Sequence, residues 1–329
     1  MSCAVITPVF LTDGRQISYM QEMANSLRDQ SDDAWHLVLV DDASPLETAA
    51  DVFGDLQRSL GERLTVLRLP VNSGQGVCRN SGARWAWRHE LPYCLYLDCD
   101  DRADPRRVEV VRDVLDGDPS AAFVYSSFDL IDESGNAVPD ADVTPSIAEI
   151  LDAHRSAPIE GQGVWQALGT TLGYSTLTSM VSVRTWLAVG QPFPDTFVSE
   201  DQHTWLRMTA ATDGVRFDGS SRGKYRVTTD GTGSSVRRRI GSGYYRQKAW
   251  VDTQGFLAAT KIALRRSAID RDQAQALFSR FYDRCAVTLI NEGEKSAAAE
   301  YRDLARDVAT VDNAAALRLL PSRPVLFRP

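Results

Sequence analysis

Strand-like apolar runs alternate with helix-like segments through the first hundred residues, and this alternation constrains the fold more than any other feature. The strand-like runs are AVI (4–6), WHLVLV (35–40), RLTVLRL (63–69) and YCLYL (93–97). Between them, apolar residues recur three and four positions apart, as on one face of a helix. The alternation predicts a parallel, doubly wound α/β sheet. Because proline lacks an N–H, we expect Pro8 to end the first strand near Thr7.

The composition fits one large α/β domain, with or without an appended region. Of the 329 residues, 43% are hydrophobic and 24% are charged, and the formal net charge is −8. This acidic balance argues against a nucleic-acid partner. The five cysteines include no CxxC pair, which fits reduced thiols better than a zinc site.

No apolar run approaches the roughly 20 residues that a membrane-spanning helix needs. The N-terminal residues lack the basic and apolar regions of a signal peptide. We therefore expect a cytoplasmic protein, with peripheral contact to a membrane left open.

The stretch LYLDCDDRAD (95–104) places four carboxylates directly after a strand-like run. Such crowding is unfavourable, since nearby like charges raise one another's pKa. A hard divalent cation would offset the repulsion among Asp98, Asp100 and Asp101. An EF-hand does not fit, because an oxygen ligand and a glycine are missing at the fifth and sixth positions. A solvated loop with helix caps is the alternative, and we assign Asp104 that capping role.

Three predicted strand ends carry polar residues: TPVF (7–10), VDDASP (40–45) and LDCDD (97–101). Ligands of open α/β sheets bind outside the carboxyl ends of the strands. Three such ends predict a binding site, whereas one alone would be an ordinary loop. A P-loop and a complete GxGxxG motif are absent from the sequence, so a metal and the loop ends would have to hold any nucleotide phosphates.

Five segments occur in the order typical of one enzyme family: VITPVF, VDDASP, NSGQGVCRNSGARWA, YLDCDD and SEDQHTWLRM. Through them the chain resembles the family 2 glycosyltransferases. The resemblance implies a GT-A nucleotide-sugar-binding fold, a Rossmann-like doubly wound mixed sheet, over residues 1–235. It implies a nucleotide-binding half at 1–104 and an acceptor-binding half at 105–235. Residues 236–329 are expected to form a C-terminal helical extension.

The resemblance also implies roles in donor binding. Pro8 and Phe10 match the first strand end, where an aromatic ring stacks near the base, and core packing is the alternative for Phe10. Asp42 matches the carboxylate that reads the base edge, whereas loop capping is favoured for Asp41. Arg79 matches an arginine beside the diphosphate, with a surface salt bridge as the alternative.

Asp98, Asp100 and Asp101 match the DxD-type motif, which holds Mn²⁺ or Mg²⁺ on the diphosphate. Asp100 and Asp101 are the stronger candidates for metal ligands, and Asp98 and Asp100 are also expected to contact the donor. The family often carries a histidine after its late Tyr-Arg segment, but YRVTTDGTGSS (225–235) has none. Asp230 is the candidate substitute.

Glu200 and Asp201 match the acidic pair of the family, in which the aspartate is the general base. The alternative is an acidic first turn that the helix dipole favours. For Trp205 a core position is favoured over one in an acceptor pocket. Arg207 is expected either to pair with a site carboxylate or to lie at the surface.

The resemblance implies inverting, metal-dependent transfer of a sugar from a nucleotide-sugar, with a UDP-sugar expected, to an acceptor hydroxyl. The acceptor is open among a small molecule, a glycan, a lipid and a protein. A nucleotidyltransferase is one alternative, although TPVFLTDGRQ lacks the expected glycine-rich loop with a lysine. A non-catalytic nucleotide-sugar-binding protein is another, but binding alone would not need Asp201.

The segment DGTGSSVRRRIGSG (230–243) places three arginines, 237–239, between glycines. Glycines supply hinges, and we expect this loop to close over the diphosphate as a lid. A solvated surface loop and a contact with anionic lipid are the alternatives.

Overall fold

The computed structural model describes residues 2–139, 143, 145–228 and 240–310. These residues form two compact units whose segments interleave along the chain. The first unit takes the described residues within Met1–Gln162, Ser175–Asp195 and Gly214–Gly233. The second takes those within Gly163–Tyr174, Thr196–Asp213 and Ser234–Pro329. The predicted division of the chain at residue 235 stays a prediction.

The first unit is built on one mixed sheet. Its strands are β1 (Cys3–Val9), β2 (Trp35–Asp41), β3 (Leu64–Arg68), β4 (Tyr93–Tyr96), β5 (Phe123–Ile131), β6 (Val181–Arg184) and β7 (Val215–Arg226). The strand order is β3-β2-β1-β4-β6-β5-β7. Strand β6 runs antiparallel to β4 and β5, and the other neighbours are parallel. The α/β sheet predicted from the alternation is confirmed.

Helices of the first unit follow its strands along the chain. They are α1 (Gly14–Arg28), α2 (Ala49–Leu60), α3 (Gln75–Arg88), α4 (Arg107–Gly117), α5 (Pro145–Ser156) and α7 (Thr185–Gly190). Asp13 starts α1 with a capping box, because its carboxylate accepts the amides of Arg15 and Gln16. The apolar face of α1, with Met20 and Met23, belongs to the same core as the side chains of β1 and β2.

Strand β1 continues through Pro8 to Val9, so the expectation that it ends near Thr7 is wrong. The carbonyl of Ile6 accepts the amide of Leu97 on the β4 side, and pairing with β4 ends at Ile6. Backbone groups alternate in direction along a strand, so Pro8 faces the same side as Ile6, beyond the end of that ladder. Its missing N–H therefore leaves no hydrogen bond unmade.

The second unit is helical where it is described. Its helices are α6 (Val164–Thr170), α8 (Glu200–Ala211), α9 (Tyr244–Arg265), α10 (Arg271–Asn291) and α11 (Lys295–Thr310). Trp205 of α8 is completely buried, which confirms its core position. At Gly255 of α9, a Cβ atom would come within 2.8 Å of the His203 Cα, so the close approach of α8 and α9 requires glycine. Among the described helices, none is long and apolar enough to cross a membrane.

Candidate functional site

The predicted donor-binding residues lie at one edge of the sheet. Strands β1, β2 and β4 are parallel neighbours, so their carboxyl ends share an edge. Phe10 follows β1, Asp42 follows β2, and the acidic turn, residues 98–101, follows β4. This is the edge at which open α/β sheets bind ligands.

The ring of Phe10 points away from the core. Phe10 is 38% exposed, whereas its neighbours Val9 and Leu11 are buried. The Leu11 amide donates to Ser44 Oγ at 2.8 Å, which ties this strand end to the loop after β2. Core packing is therefore wrong for Phe10, and its stacking on a base stays a prediction.

The two carboxylates of VDDASP have different partners. Asp41 Oδ1 accepts the Ser44 amide at 2.9 Å, so the capping role favoured for Asp41 is confirmed. Asp42 is 4% exposed. Its Oδ1 and Oδ2 accept the amides of Ser73 and Gly74 at 2.7 and 2.8 Å. Asp42 thus fastens the loop after β3 to the end of β2, and its role toward a base stays a prediction.

Arg79 is buried, so a surface salt bridge is the wrong interpretation. Its side chain is 4% exposed, and its Nη2 lies 2.6 Å from Asp98 Oδ1. The guanidinium lies over the ring of Phe193, 5.4 Å from the centroid. The next residue, Asn80, exchanges two hydrogen bonds of 2.9 and 2.8 Å with the Phe193 backbone. The Arg-Asn dipeptide is therefore held by one distant residue, which sequence reasoning missed.

The carboxylates of the acidic turn differ in burial. Asp100 is exposed. Desolvation by the surrounding protein, and then the Asp98 charge, raise the pKa of Asp100 to about 6. Asp101 is fully buried. Its carboxylate accepts the Ser179 hydroxyl and, at 2.8 Å, the Arg226 amide. Burial, and then the Asp100 charge, raise the pKa of Asp101 well above its ordinary value.

Arg226, the last residue of β7, contacts and supports the acidic turn. Besides its amide bond to Asp101, its Nε donates to the Asp100 carbonyl at 2.8 Å. Its guanidinium pairs with Glu22 of α1 and lies over the Tyr19 ring, 4.1 Å from the centroid. The Arg226 side chain is buried and that of Glu22 is one third exposed, so the pair carries a desolvation cost mainly at the arginine. The acidic turn is therefore fixed by strand β7 and helix α1 as well as by its own strand.

Within the described residues, no group of three or more His, Cys, Asp or Glu is arranged to hold a metal ion by itself. Asp98 and Asp100 nevertheless offer the hard oxygen donors that Mn²⁺ and Mg²⁺ prefer. After desolvation, the Asp98 charge contributes to the raised pKa of Asp100, and a cation would offset that repulsion. Both oxygens of buried Asp101 accept hydrogen bonds, which favours Asp98 and Asp100 as ligands. Asp230, the candidate third ligand, lies outside the described residues, as do the lid arginines 237–239.

The acidic pair opens α8 and belongs to the second unit. Glu200 is buried and Asp201 is partly exposed. Asp201 Oδ1 accepts the Gln202 amide at 2.7 Å. The predicted base therefore lies in a different unit from the predicted metal ligands. Its position in a first helical turn is one that the helix dipole also favours for structural carboxylates.

The Asp201 charge affects the pKa of two tyrosines of the second unit. Burial, and then Asp201, raise the pKa of Tyr174 and Tyr244 well above the ordinary value. Further along α8, Arg207 Nε donates to His203 Nδ1 at 3.2 Å. Arg207 is thus partly buried against its own helix rather than at the surface.

Strained backbone occurs beside carboxylates of both units. Ala43, next to Asp42, has φ of 58°, and Ser199, next to Glu200, has φ of 54°. Non-glycine residues rarely adopt this left-handed conformation, which costs about 1–3 kcal/mol and persists where neighbours enforce it. Sequence patterns gave no signal for either.

Residues 4–162 match the family described as Glycosyl transferase family 2. This part of the chain is a family 2 glycosyltransferase domain. The match contains β1 to β5 with Asp42, Arg79 and the acidic turn. The prediction of a family 2 glycosyltransferase is confirmed through this domain. The acidic pair lies beyond the matched residues.

Curated relatives of the glycosyltransferase domain are bacterial. TuaG of Bacillus subtilis, named as a glycosyltransferase of teichuronic acid biosynthesis, is 28% identical over 132 residues, which are 40% of this chain and 48% of TuaG. A glycosyltransferase of Haemophilus influenzae is 29% identical over 103 residues, which are 31% of this chain and 32% of that protein. The chain thus spans less than half the length of these relatives.

Solved structures are similar in fold over most of the chain. A TarS fragment from S. aureus in complex with UDP has a TM-score of 0.53 at 17% identity, over 94% of this chain and 91% of that one. The mannosyltransferase PcManGT from Pyrobaculum calidifontis, in complex with GDP-Man and Mn²⁺, has a TM-score of 0.51 at 16% identity, over 96% and 78% of the two chains. The predicted GT-A fold with C-terminal helices is confirmed.

Proposed function

We propose that the protein transfers a sugar from a nucleotide-sugar to an acceptor hydroxyl, with inversion at the anomeric carbon. The observation that carries the proposal is the acidic turn at the sheet edge. It presents the exposed Asp100 carboxylate beside the partly buried Asp98–Arg79 ion pair. Carboxylates and a guanidinium together suit a metal-bound diphosphate, because the turn can hold the cation and the arginine can bind phosphate oxygens.

The proposed donor is a UDP-sugar. The exposed ring of Phe10 is suited to stack on a base, and Asp42 can accept a further N–H, since each carboxylate oxygen has two lone pairs. TarS has been solved with UDP and with UDP-GlcNAc, which supports uridine, whereas PcManGT was solved with GDP-Man. Pro8 keeps the end of β1 extended where the base would lie.

Mn²⁺ or Mg²⁺, when bound, would neutralise charge on the departing diphosphate. We propose Asp100 and Asp98 as its protein ligands. Asp101, the other ligand predicted from the sequence, is proposed to orient the turn through Ser179 and Arg226. Arg79, which pairs with Asp98, is proposed to contact the diphosphate as well.

Asp201 is the proposed general base. It would take the proton of the acceptor hydroxyl as the bond from the sugar to the diphosphate breaks, and such catalysis typically contributes ~10²–10⁴ in rate. The Gln202 amide holds one of its oxygens in place. Glu200, buried beside it, would support the first turn of α8.

A panel of UDP- and GDP-sugars with Mn²⁺ tests this function through donor hydrolysis, in which water replaces the acceptor. Turnover of one donor, lost on chelation and strongly reduced in Asp201→Asn, is the expected result. An NMR signal for a product with retained configuration would reject single displacement. Release of pyrophosphate in place of a nucleoside diphosphate would instead identify a nucleotidyltransferase.

A further inference from the structure

A polar cluster in the second unit holds the start of α8. We call it the Ser199 clamp, and it consists of Ser199, Asp252, Lys248 and Tyr174. We propose that the Ser199 clamp positions Asp201 for proton abstraction, so that helix α9 acts in the reaction through the backbone of α8. The inference rests on the proposed role of Asp201 as the base.

Ser199 stands at the centre of the clamp. Its hydroxyl donates to Asp252 Oδ1 at 2.5 Å, and the Tyr174 hydroxyl lies 3.3 Å from the same Ser199 oxygen. Lys248 Nζ lies 2.6 Å from Asp252 Oδ2 and 4.9 Å from the centroid of the Tyr174 ring. The carboxylate of Asp252 is thus held on one side by a cation and presents its other oxygen to Ser199.

The position of Ser199 makes this arrangement unusual. A serine just before a helix normally turns its hydroxyl to the amides of the first turn. Ser199 makes no such bond, and its backbone is left-handed, with φ of 54° and ψ of 26°. A non-glycine residue keeps this conformation only where its surroundings enforce it. The hydrogen bond to Asp252 provides that restraint.

The restraint acts on Asp201 through the chain. Asp201 is two residues beyond Ser199 and lies in the first turn of α8. The backbone angles of Ser199 therefore set the direction in which that turn, and its carboxylate, leave the preceding loop. A misplacement of about 1 Å in a catalytic group can lower turnover by ~10²-fold.

The ion pair of Lys248 with Asp252 is largely buried, and this burial favours a positioning role over a stabilising one. Asp252 is 6% exposed, and the Lys248 side chain is 15% exposed. Buried pairs often add little net stability over apolar residues of similar size. Here the Lys248 ammonium holds Asp252 Oδ2, which leaves Oδ1 to accept the Ser199 hydroxyl. Tyr174, with its raised pKa, stays protonated and can donate to Ser199.

Alanine and glycine at position 199 separate the effect of backbone conformation on kcat from the effect of losing the hydroxyl. Ser199→Ala and Ser199→Gly both remove the hydroxyl, but only glycine adopts the left-handed conformation without strain. We expect Ser199→Ala to lower kcat for donor hydrolysis at least ~10-fold, with an unchanged KM for the donor and an unchanged folded fraction at the assay temperature. We expect Ser199→Gly, which adopts this conformation without strain but also loses the restraint of the hydroxyl, to lower kcat clearly less than Ser199→Ala does.

A double-mutant cycle tests the path through Asp252. Asp252→Asn keeps the size but removes the charge, so it should lower kcat in the wild-type background. In the Ser199→Gly background the same change should have no further effect, because no hydroxyl remains to be held. A decrease of equal size in both backgrounds would overturn the inference.

Parallel assays keep this inference apart from the proposed function. The clamp alone would be overturned if Ser199→Ala kept the wild-type kcat, or if Ser199→Ala and Ser199→Gly lowered kcat equally. A decrease in kcat that only follows the folded fraction would overturn it too. Wild-type kcat in Asp201→Asn would overturn the proposed base, and the clamp with it.

Discussion

The two acidic sites of this protein are held in opposite ways. In the acidic turn of the first unit, an ion pair holds the Asp98 carboxylate and hydrogen bonds hold the Asp101 carboxylate directly. In the acidic pair of the second unit, the Ser199 clamp fixes the backbone beside the carboxylates. The proposed roles differ in the same way. A metal site needs a fixed set of oxygen atoms, whereas a general base needs a fixed position from which it can take a proton.

The comparison is tested most strongly at Asp201. Asp201→Asn keeps the size and removes the basic oxygen, so kcat should fall by ~10²–10⁴ with little change in donor affinity. Steady-state kinetics and calorimetry with UDP measure the two effects. Glu200→Gln serves as the matched control and should lower kcat less. The reverse order would move the base to Glu200.

At Arg79, the expected effect is on binding. Arg79→Lys keeps the charge but loses the planar group that lies over Phe193 and pairs with Asp98, so affinity for UDP with Mn²⁺ should fall about 10-fold. The same change at Arg84, exposed on the same helix, is the control and should leave affinity unchanged. Equal affinities in all three proteins would remove Arg79 from the donor site.

Substitutions at Asp100 and Asp101 should separate metal binding from structural support of the acidic turn. Asp100→Asn should weaken Mn²⁺-dependent UDP binding with little change in the free energy of unfolding, because Asp100 is exposed. Asp101→Asn should lower the free energy of unfolding by about 1–3 kcal/mol, because buried hydrogen bonds are disturbed. Calorimetry and urea unfolding give both values. A stable Asp101→Asn that has lost metal binding would restore Asp101 as the ligand.

The last effect concerns stability in acid and lies outside both acidic sites. Burial, and then the Arg207 charge, lower the pKa of His203 to about 3. Between that value and the ordinary one near 6.5, the unfolded chain binds a proton that the folded chain does not. The contribution of neutral His203 to the free energy of unfolding is therefore fully present above about pH 6.5. It is lost as the pH falls toward 3, with a slope of up to about 1.4 kcal/mol per pH unit. Urea unfolding of His203→Gln should show a flatter pH dependence, and identical slopes would contradict the assignment.

The edge of the sheet could be predicted because its signals are local. Apolar runs mark the strands, and the acids that follow them mark the site. The supporting residues could not be predicted: Glu22, Ser179, Phe193 and Arg226 carry no motif and reach the site only through the strand order.

The second unit shows the same limit more sharply. Ser199 before an acidic turn is typical of an ordinary helix cap, and Lys248 with Asp252 is typical of a surface pair four residues apart. Only the packing of α8 against α9 brings the three side chains into contact. The error at Pro8 has a related cause, since a single strand does not reveal which neighbour each backbone group faces.

The interleaving of the two units has a consequence for synthesis on the ribosome. Helices α6 and α8 of the second unit leave the ribosome before β7 completes the sheet, but α9 to α11 follow only afterwards. About a hundred residues separate the end of α8 from the end of α11, which is about 5–20 s of translation. During that interval the apolar surface around Trp205 lacks its later partners. The nascent chain should then be most prone to aggregate, and most in need of a chaperone, while the sheet is already complete.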